Sequence, residues 1–97
     1  MNRQAILDRL NAEAPELRHK FGVKTLAVFG SIARGDAHEG SDVDVLVSFE
    51  GEATFDNFMG LKLELEDVLG RRVDLLTPPC LGPEMRSRVE KEAILVP

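Results

Sequence analysis

The stretch that decides the fold is GSIARGD at residues 30–36, followed by SDVDVLV at residues 41–47. The first part sets two glycines and a serine close together, which is typical of a tight turn. The second part alternates acidic and apolar residues, and successive side chains of a strand point to opposite faces. Asp42 and Asp44 are therefore predicted to share one face of a strand, about 7 Å apart, with the valines on the other face.

Two carboxylates on one strand face repel each other unless a cation neutralises their charge, and hard divalent cations take oxygen ligands. Gly30 lets a phosphate approach the backbone closely, and Ser31 can donate from its backbone N–H and its hydroxyl. Each feature alone has an ordinary explanation, as a tight turn or an exposed strand face. Together they indicate a site for metal-assisted phosphate chemistry.

Other motifs with phosphate or metal chemistry fit this stretch poorly. Residues 30–35 have the glycine spacing of a Walker A loop, but Asp36 stands where that loop needs a lysine. No GxGxxG motif supports a dinucleotide fold. The apolar residues around Asp42 and Asp44 favour a strand over an EF-hand loop, and His19, His38 and the single cysteine offer no zinc spacing.

Size and composition restrict the class of protein. The 97 residues carry a net charge of −5, which disfavours a broad contact with nucleic acid. One cysteine excludes an internal disulfide and fits a reducing cytoplasm. No apolar segment resembles a signal peptide or approaches the length of a membrane span. We therefore expect one cytoplasmic globular domain.

Apolar periodicity and turn residues predict an α/β (α+β) domain with a small mixed β-sheet packed against helices. Pro15 is expected to break or kink the first helix, and Gly22 to end the second. The predicted helices are residues 2–13, 15–21, 55–69 and 83–92, and the predicted strands are residues 24–29, 42–49, 71–76 and 93–96.

The third predicted helix has a wide apolar surface. Met59 and Leu63 lie outside its narrow stripe, either as part of a wide core face or as a surface for a partner protein. Cys80, after two prolines, is expected to be buried or half-buried. The residues assigned to the core face are Phe55, Phe58, Leu61, Leu65, Val68 and Leu69.

The pair Gly30-Ser31, ten intervening residues and the triplet Asp42-Val43-Asp44 resemble the signature of the DNA polymerase β-like nucleotidyltransferase superfamily. The fuller pattern, GSxARG before SDxDxLV, is similar to the minimal nucleotidyltransferase (MNT) branch, whose length and element order also match. The resemblance implies the nucleotidyltransferase fold, with residues 1–97 as a single minimal nucleotidyltransferase domain.

The resemblance also implies a third carboxylate on a later strand, where Asp74 stands. Asp74 interrupts an apolar strand, which costs stability unless the carboxylate is paired or bound to a ligand. Pairing with Arg71 or Arg72 is the structural alternative. The catalytic and metal-binding residues implied by the resemblance are Asp42, Asp44 and Asp74.

The implied nucleotide-binding residues are Gly30, Ser31 and Arg34. Arg34 has two open interpretations, as a bidentate phosphate contact or as a surface arginine that pairs with Asp36 or Glu39. Asp36 is either an acid of the turn or a contact to a partner.

The resemblance implies nucleotidyl transfer at the α-phosphate of ATP. Two Mg²⁺ ions about 3.5–4 Å apart would stabilise the leaving pyrophosphate and lower the pKa of the attacking hydroxyl. Asp42 and Asp44 would bind both ions, and Asp74 would bind the second ion or accept the proton.

Many small relatives are antitoxins of HEPN-domain RNase toxins and are understood to transfer AMP from ATP to a toxin tyrosine. The resemblance therefore implies a protein adenylyltransferase with ATP and a HEPN toxin as partners and no direct nucleic-acid binding. The short chain lacks the extra domain that usually holds other acceptors, which favours a protein acceptor. A non-catalytic antitoxin that acts by occlusion and a small-molecule nucleotidyltransferase remain the alternatives.

Overall fold

The computed structural model describes residues 2–38 and 40–97, in which helices and strands alternate for much of the chain. Within these residues, no helix combines the length and apolar character needed to cross a membrane. A 3₁₀ turn, Pro78–Cys80, follows the third strand. The elements are α1 (Arg3–Phe21), β1 (Val23–Phe29), α2 (Gly30–Arg34), β2 (Val43–Phe49), α3 (Phe55–Leu69), β3 (Val73–Leu76), α4 (Pro83–Glu92) and β4 (Ile94–Val96).

The four strands form one mixed sheet in the order β3-β2-β1-β4. Strand β1 runs antiparallel to β2 and to β4, whereas β2 and β3 are parallel. The register places Phe29 opposite Asp44, and Asp44 opposite Asp74. The predicted small mixed sheet packed against helices is therefore confirmed, and its register brings the acidic residues of two strands together.

Helices α1 and α3 cover one face of the sheet and form the main core. Leu10 of α1 and Leu61 of α3 are fully buried, as are Val43 and Val45 of β2. Each buried aliphatic side chain stabilises the fold by about 1.5–3 kcal/mol relative to exposure. The valines between the strand acids thus anchor β2 and direct Asp44 towards the opposite face.

A smaller apolar cluster forms on the opposite face, where α4 packs. Phe29, Leu81 and Val89 are its buried members, and Leu46 and Leu76 pack against them. Because side chains alternate along a strand, this face also carries the side chains of Asp44 and Asp74. Helix α4 therefore lies beside the acidic residues.

The prediction of two helices separated at Pro15 is wrong, since α1 continues through this residue. Five apolar residues, Ile6, Leu10, Ala14, Leu17 and Phe21, are buried along one stripe on both sides of the proline. Pro15 itself is exposed, so the carbonyl that its missing N–H leaves unpaired can meet water. Burial of the stripe outweighs the cost of about 3 kcal/mol for a proline in a helix.

Two expectations about burial, for Phe55 and Cys80, are corrected by the structure, and the open alternative for Leu63 is narrowed. Phe55 lies at the first turn of α3 and is 77% exposed, so it is not part of the core face. Leu63 is 60% exposed, and therefore does not belong to a wide core face. Cys80 is exposed rather than buried, and its Sγ lies 3.3 Å from Oγ1 of Thr77 in the 3₁₀ turn.

A carboxylate of α3 fixes the start of β3. Glu66 accepts hydrogen bonds from the backbone N–H of Val73 at 3.0 Å and from Nζ of Lys62 at 3.2 Å. These bonds, the one from Val73 first, lower the pKa of Glu66 below its ordinary value. The helix thereby positions the strand that carries Asp74.

The N-terminus of α3 gives a direct test of local stability. Oγ1 of Thr54 accepts a hydrogen bond of 3.1 Å from the backbone N–H of Asn57. We expect Thr54→Ala to cost about 1 kcal/mol and to lower Tm by about 4–8 °C. Thermal unfolding followed by circular dichroism measures the change, and Thr54→Ser, which keeps the hydroxyl, is the matched control. Equal Tm values for the two variants would contradict this account of the cap.

Candidate active site

The phosphate turn predicted from the sequence lies directly after β1. Phe29 ends the strand, and Gly30 follows with a φ of 71°, a backbone conformation that side-chain-bearing residues rarely adopt. Ser31 is half-buried in the single helical turn of α2, whose Ile32 and Ala33 pack in the main core. The packed residues of α2 therefore hold Gly30 and Ser31 at the C-terminal end of β1.

The three predicted acids converge at the same end of β2 and β3. Asp44 is half-buried in β2 and directly opposite the exposed Asp74 of β3 in the parallel register. Asp42 is exposed and lies one residue before β2, which begins at Val43 rather than at Asp42 as predicted. The structure thus brings together three carboxylates that are separated by up to 32 positions in the sequence.

The electrostatics of this group centre on Asp44. Its pKa is raised above the ordinary value, first by burial and then by repulsion from the carboxylates of Asp74 and Asp42. The positive charge of Arg34 acts in the opposite direction and lowers the pKa of Asp44. Asp44 therefore carries its negative charge at a cost to the fold, which a cation at this position would reduce.

Gly30 and Asp44 are in close contact across the β1–β2 pair. A methyl group in place of the Gly30 hydrogen would overlap Oδ2 of Asp44 and lie 3.0 Å from its Cγ. The position accepts no side chain for two reasons, its positive φ and the carboxylate beside it. The glycine of the turn and the acid of the strand therefore form one structural unit.

Helix α4 supplies a wall that the sequence did not reveal. A cavity of about 290 Å³ lies between Gly30, Ser31 and Asp44 on one side and the α4 residues Arg88 and Glu92 on the other. Arg88 is exposed on α4, yet its side chain also lines this cavity. In the sequence, the position of Arg88 next to Val89, the apolar residue that packs α4 on the sheet, is the one indication that Arg88 lies near the site.

Arg34 is held by two carboxylates at the rim of this cavity. Its Nε lies 3.1 Å from Oδ2 of Asp36, and its Nη1 lies 3.1 Å from Oε2 of Glu92. The pairing with Asp36 was one of the predicted alternatives, whereas Glu92 was not anticipated because it is 58 positions away. The alternative partner Glu39 lies outside the described residues.

Arg71 and Arg72, which were the alternative partners of Asp74, make other contacts in the structure. The Nε of Arg72 lies 4.0 Å from Oδ1 of Asp42. The Nη2 of Arg71 donates to the backbone carbonyls of His38 at 3.2 Å and Ser41 at 2.9 Å. Arg71 therefore fixes the loop that leads into Asp42.

The carboxylate oxygens of the site suit a cation that binds together with a phosphate-bearing substrate. Across residues 2–38 and 40–97, no three His, Cys, Asp or Glu side chains are grouped closely enough to hold a metal by themselves. Mg²⁺ commonly uses one or two carboxylates together with substrate phosphates and water. The raised pKa of Asp44 and the glycine backbone in contact with its carboxylate fit this arrangement, in which protein and phosphate oxygens are shared.

Comparisons with known proteins agree with this geometry. The profile of the nucleotidyltransferase domain family matches residues 13–96. The protein adenylyltransferase MntA of Thermococcus cleftensis is 44% identical over 87 residues, which cover 90% of this chain and 88% of that protein. These matches confirm the prediction of a nucleotidyltransferase enzyme of the adenylyltransferase kind.

Solved structures show the same fold. A proposed minimal nucleotidyltransferase has a TM-score of 0.81 and 40% identity, with 97% of this chain and 95% of that chain covered. The MNT antitoxin complex with a tri-AMPylated HEPN toxin from Shewanella oneidensis contains a chain with a TM-score of 0.65 and 16% identity, with coverage of 97% and 71%. By its family profile, its relative in Thermococcus and its fold, the chain belongs to the nucleotidyltransferase domain family.

Proposed function

We propose that this protein transfers adenylyl groups from ATP to a hydroxyl of a partner protein and thereby acts as an antitoxin in the cytoplasm. The observation that carries the proposal is the meeting of Asp44, Asp74 and Gly30 at one end of the sheet. A HEPN toxin is the partner we propose, because a fold neighbour is found with such a toxin. A tyrosine of the toxin is the proposed acceptor.

The donor nucleotide is proposed to occupy the cavity beside α4. Gly30 and Ser31 offer backbone N–H groups and a hydroxyl to the phosphates, and the side chain of Arg88 lines the opposite wall. Arg34 can turn from Asp36 or Glu92 to a phosphate, since both of its ion pairs are exposed and such pairs contribute little. These residues orient the triphosphate with its α-phosphorus towards the acids.

The three carboxylates are proposed to divide their roles according to burial. Asp42 and Asp44, with Asp74, would hold Mg²⁺, whose two charges neutralise triphosphate oxygens when it is bound. Asp74 is the exposed member of the β2–β3 pair, so it is open to an acceptor that approaches from solvent. We assign it to orient the acceptor hydroxyl and receive its proton.

The proposed reaction joins the acceptor oxygen to the α-phosphorus of ATP. The bond between the α-phosphorus and the bridging oxygen breaks, and pyrophosphate leaves with that electron pair. The hydroxyl proton passes to Asp74. The acceptor then carries a phosphodiester-linked AMP.

The direct test combines the purified protein, the product of the adjacent open reading frame and Mg-ATP. Intact mass spectrometry is expected to show the neighbour heavier in steps of one AMP. α,β-Methylene ATP, whose α–β linkage cannot be cleaved, is the control and is expected to give no adduct. A neighbour of unchanged mass in the presence of a stable complex would contradict the proposal.

A non-catalytic antitoxin is the second candidate, and one observation favours it. Phe55 and Leu63 of α3 expose 77% and 60% of their surface, on the helix that covers the face of the sheet opposite the acids. Exposed large apolar side chains are common at protein interfaces. A partner docked there would be neutralised by occlusion without any use of Asp44.

A further inference from the structure

Arg34 is shared between one carboxylate inside the proposed nucleotide cavity and one outside it. Arg34 and Glu92 both line the cavity of about 290 Å³ beside α4, whereas Asp36 is not among its lining residues. Nη1 of Arg34 donates to Oε2 of Glu92 at 3.1 Å, and Nε donates to Oδ2 of Asp36 at 3.1 Å. Glu92 therefore holds the guanidinium group at the cavity, and Asp36 competes for it from outside.

The two carboxylates differ in their exposure and in what they connect. The side chain of Asp36 is 61% exposed and that of Glu92 is 22% exposed, and water competes more strongly for the more exposed carboxylate. Asp36 is only two positions from Arg34, whereas Glu92 joins α4 to α2 across 58 positions. The contact with Asp36 is therefore the one that a ligand displaces at the smaller cost.

Packing fixes the backbone at both ends of the pair between Arg34 and Glu92. Arg34 ends α2 directly after Ala33, which is buried in the main core. Glu92 ends α4, where the backbone N–H of Ala93 donates to the carbonyl of the buried Val89 at 2.8 Å. Groups that are held in place before a ligand arrives lose less conformational freedom when it binds. The pair is therefore suited to present Arg34 to a ligand.

The guanidinium group of Arg34 has donors in reserve. Within residues 2–38 and 40–97, its hydrogen bonds come from Nε and Nη1, and Nη2 has no acceptor. The N–H groups of Nε and Nη2 lie side by side on one edge of an arginine and can bind two oxygens of one phosphate. If Asp36 is released while Glu92 keeps Nη1, that whole edge becomes available to a phosphate.

We propose that Glu92 is a positioning residue, which holds Nη1 of Arg34 at the cavity while a phosphate of the nucleotide replaces Asp36 at Nε. The inference rests on the proposed function, because it gives a task to residues of the proposed nucleotide cavity. Two carboxylates of equal charge, both 3.1 Å from Arg34, thus have opposite roles. Glu92 supports nucleotide binding through Arg34, and Asp36 opposes it.

Other roles of Glu92 predict a different outcome. A carboxylate near a triphosphate repels it, so on charge alone the loss of either Glu92 or Asp36 would strengthen nucleotide binding. An inhibitory contact, in which Glu92 keeps Arg34 away from the phosphates, also predicts stronger binding when Glu92 is lost. A positioning role predicts weaker binding without Glu92 and stronger binding without Asp36. The direction of the two changes therefore separates these roles.

The first experiment measures nucleotide binding without transfer and without the partner. The probe is α,β-methylene ATP with Mg²⁺, titrated into the protein by isothermal calorimetry. Glu92→Ala is expected to raise Kd about tenfold, and Asp36→Ala to lower it about threefold. Glu90→Ala removes the same charge at an exposed position of α4 that does not line the cavity, and is the matched control with an unchanged Kd. A Kd that does not rise in Glu92→Ala, or does not fall in Asp36→Ala, would overturn the proposal.

The second experiment asks whether Glu92 acts through Arg34. In the background of Arg34→Ala, Glu92→Ala is expected to change Kd less than about twofold, because the group that it positions is absent. A full tenfold rise in that background would show a structural role of Glu92 and overturn the assignment. Glu92→Gln keeps a neutral oxygen for Nη1 and is expected to give a Kd between those of the wild type and Glu92→Ala.

The two experiments also separate this inference from the proposed function. Wild-type protein that binds the analogue but transfers no AMP to its partner would contradict the proposed function, and the two carboxylate variants would still decide the role of Glu92. Wild-type protein that does not bind the analogue would contradict the proposed nucleotide cavity and this assignment with it.

Discussion

Asp44→Asn is expected to abolish adenylyl transfer, with a rate reduced about 10³-fold or more, and to leave the complex with the partner intact. The substitution removes the negative charge at the acid nearest the turn, opposite Asp74 in the register. A loss of this size corresponds to about 4 kcal/mol of transition-state stabilisation. Asparagine keeps the shape of the side chain, so the effect reports charge rather than packing.

The matched control is Asp67→Asn on α3, where the carboxylate is exposed and does not line the cavity beside α4. Transfer is measured by intact mass of the partner, and complex formation by size-exclusion chromatography. Neutralisation of the partner separates the two candidate functions. Loss of neutralisation with a retained complex supports catalysis, whereas full neutralisation by Asp44→Asn would show that occlusion is sufficient.

Asp44→Asn is also expected to stabilise the fold. Burial and the neighbouring acids raise the pKa of Asp44, so its ionised form costs stability at neutral pH. This destabilisation by the ionised carboxylate is absent below the unfolded-state pKa of Asp44, and it develops as the pH rises through the raised pKa of Asp44 in the folded state. Removal of the charge is expected to raise Tm at pH 7 by a few degrees, about 2–5 °C. A Tm that falls at pH 7 would contradict the proposed electrostatic cost.

Local sequence signals predicted most of the architecture because the residues at the ends of most helices and strands mark their boundaries. Helix α3 runs from Phe55 to Leu69 as predicted, with Thr54 and Gly70 at its ends. The prediction at Pro15 is wrong because proline disfavours a helix locally, whereas the burial of Leu17 and Phe21 after it stabilises the helix through tertiary contacts. Phe55 was assigned to the core face but is exposed, because the apolar periodicity of a helix does not show where the core that packs against it ends.

The residues of the site also fall into two groups: some can be predicted from the local sequence, and others depend on long-range contacts. Gly30, Ser31, Asp42 and Asp44 are readable from one short stretch. Asp74 was implied by the family resemblance, and its place in an apolar strand supported that assignment. The partners of Arg34 and of Arg3 depend on contacts between elements. Glu92 reaches Arg34 across 58 positions, and Arg3 reaches Ala33 across 30. No local pattern marks such pairs, because they arise only when the sheet and its helices are assembled.

Gly30→Ala is the second substitution with a large expected effect, and it tests the contact between the turn and the strand acid. The new methyl group would overlap Oδ2 of Asp44 at a φ of 71°. We expect transfer to fall about 10²–10³-fold, because displacement of the carboxylate misplaces the charge that faces the α-phosphate. The left-handed conformation alone costs alanine about 1–2 kcal/mol, and the overlap adds to this cost.

Gly22→Ala separates these two contributions. Gly22 has nearly the same φ, 70°, but a methyl group there would have no heavy atom within 4 Å. It should therefore lose about 1–2 kcal/mol of stability and retain its transfer rate. Chemical denaturation and intact mass of the partner measure the two quantities for both variants. If Gly30→Ala matched Gly22→Ala in rate, Asp44 would have relaxed away from the methyl group without loss of function, and the Gly30–Asp44 contact would have no part in catalysis.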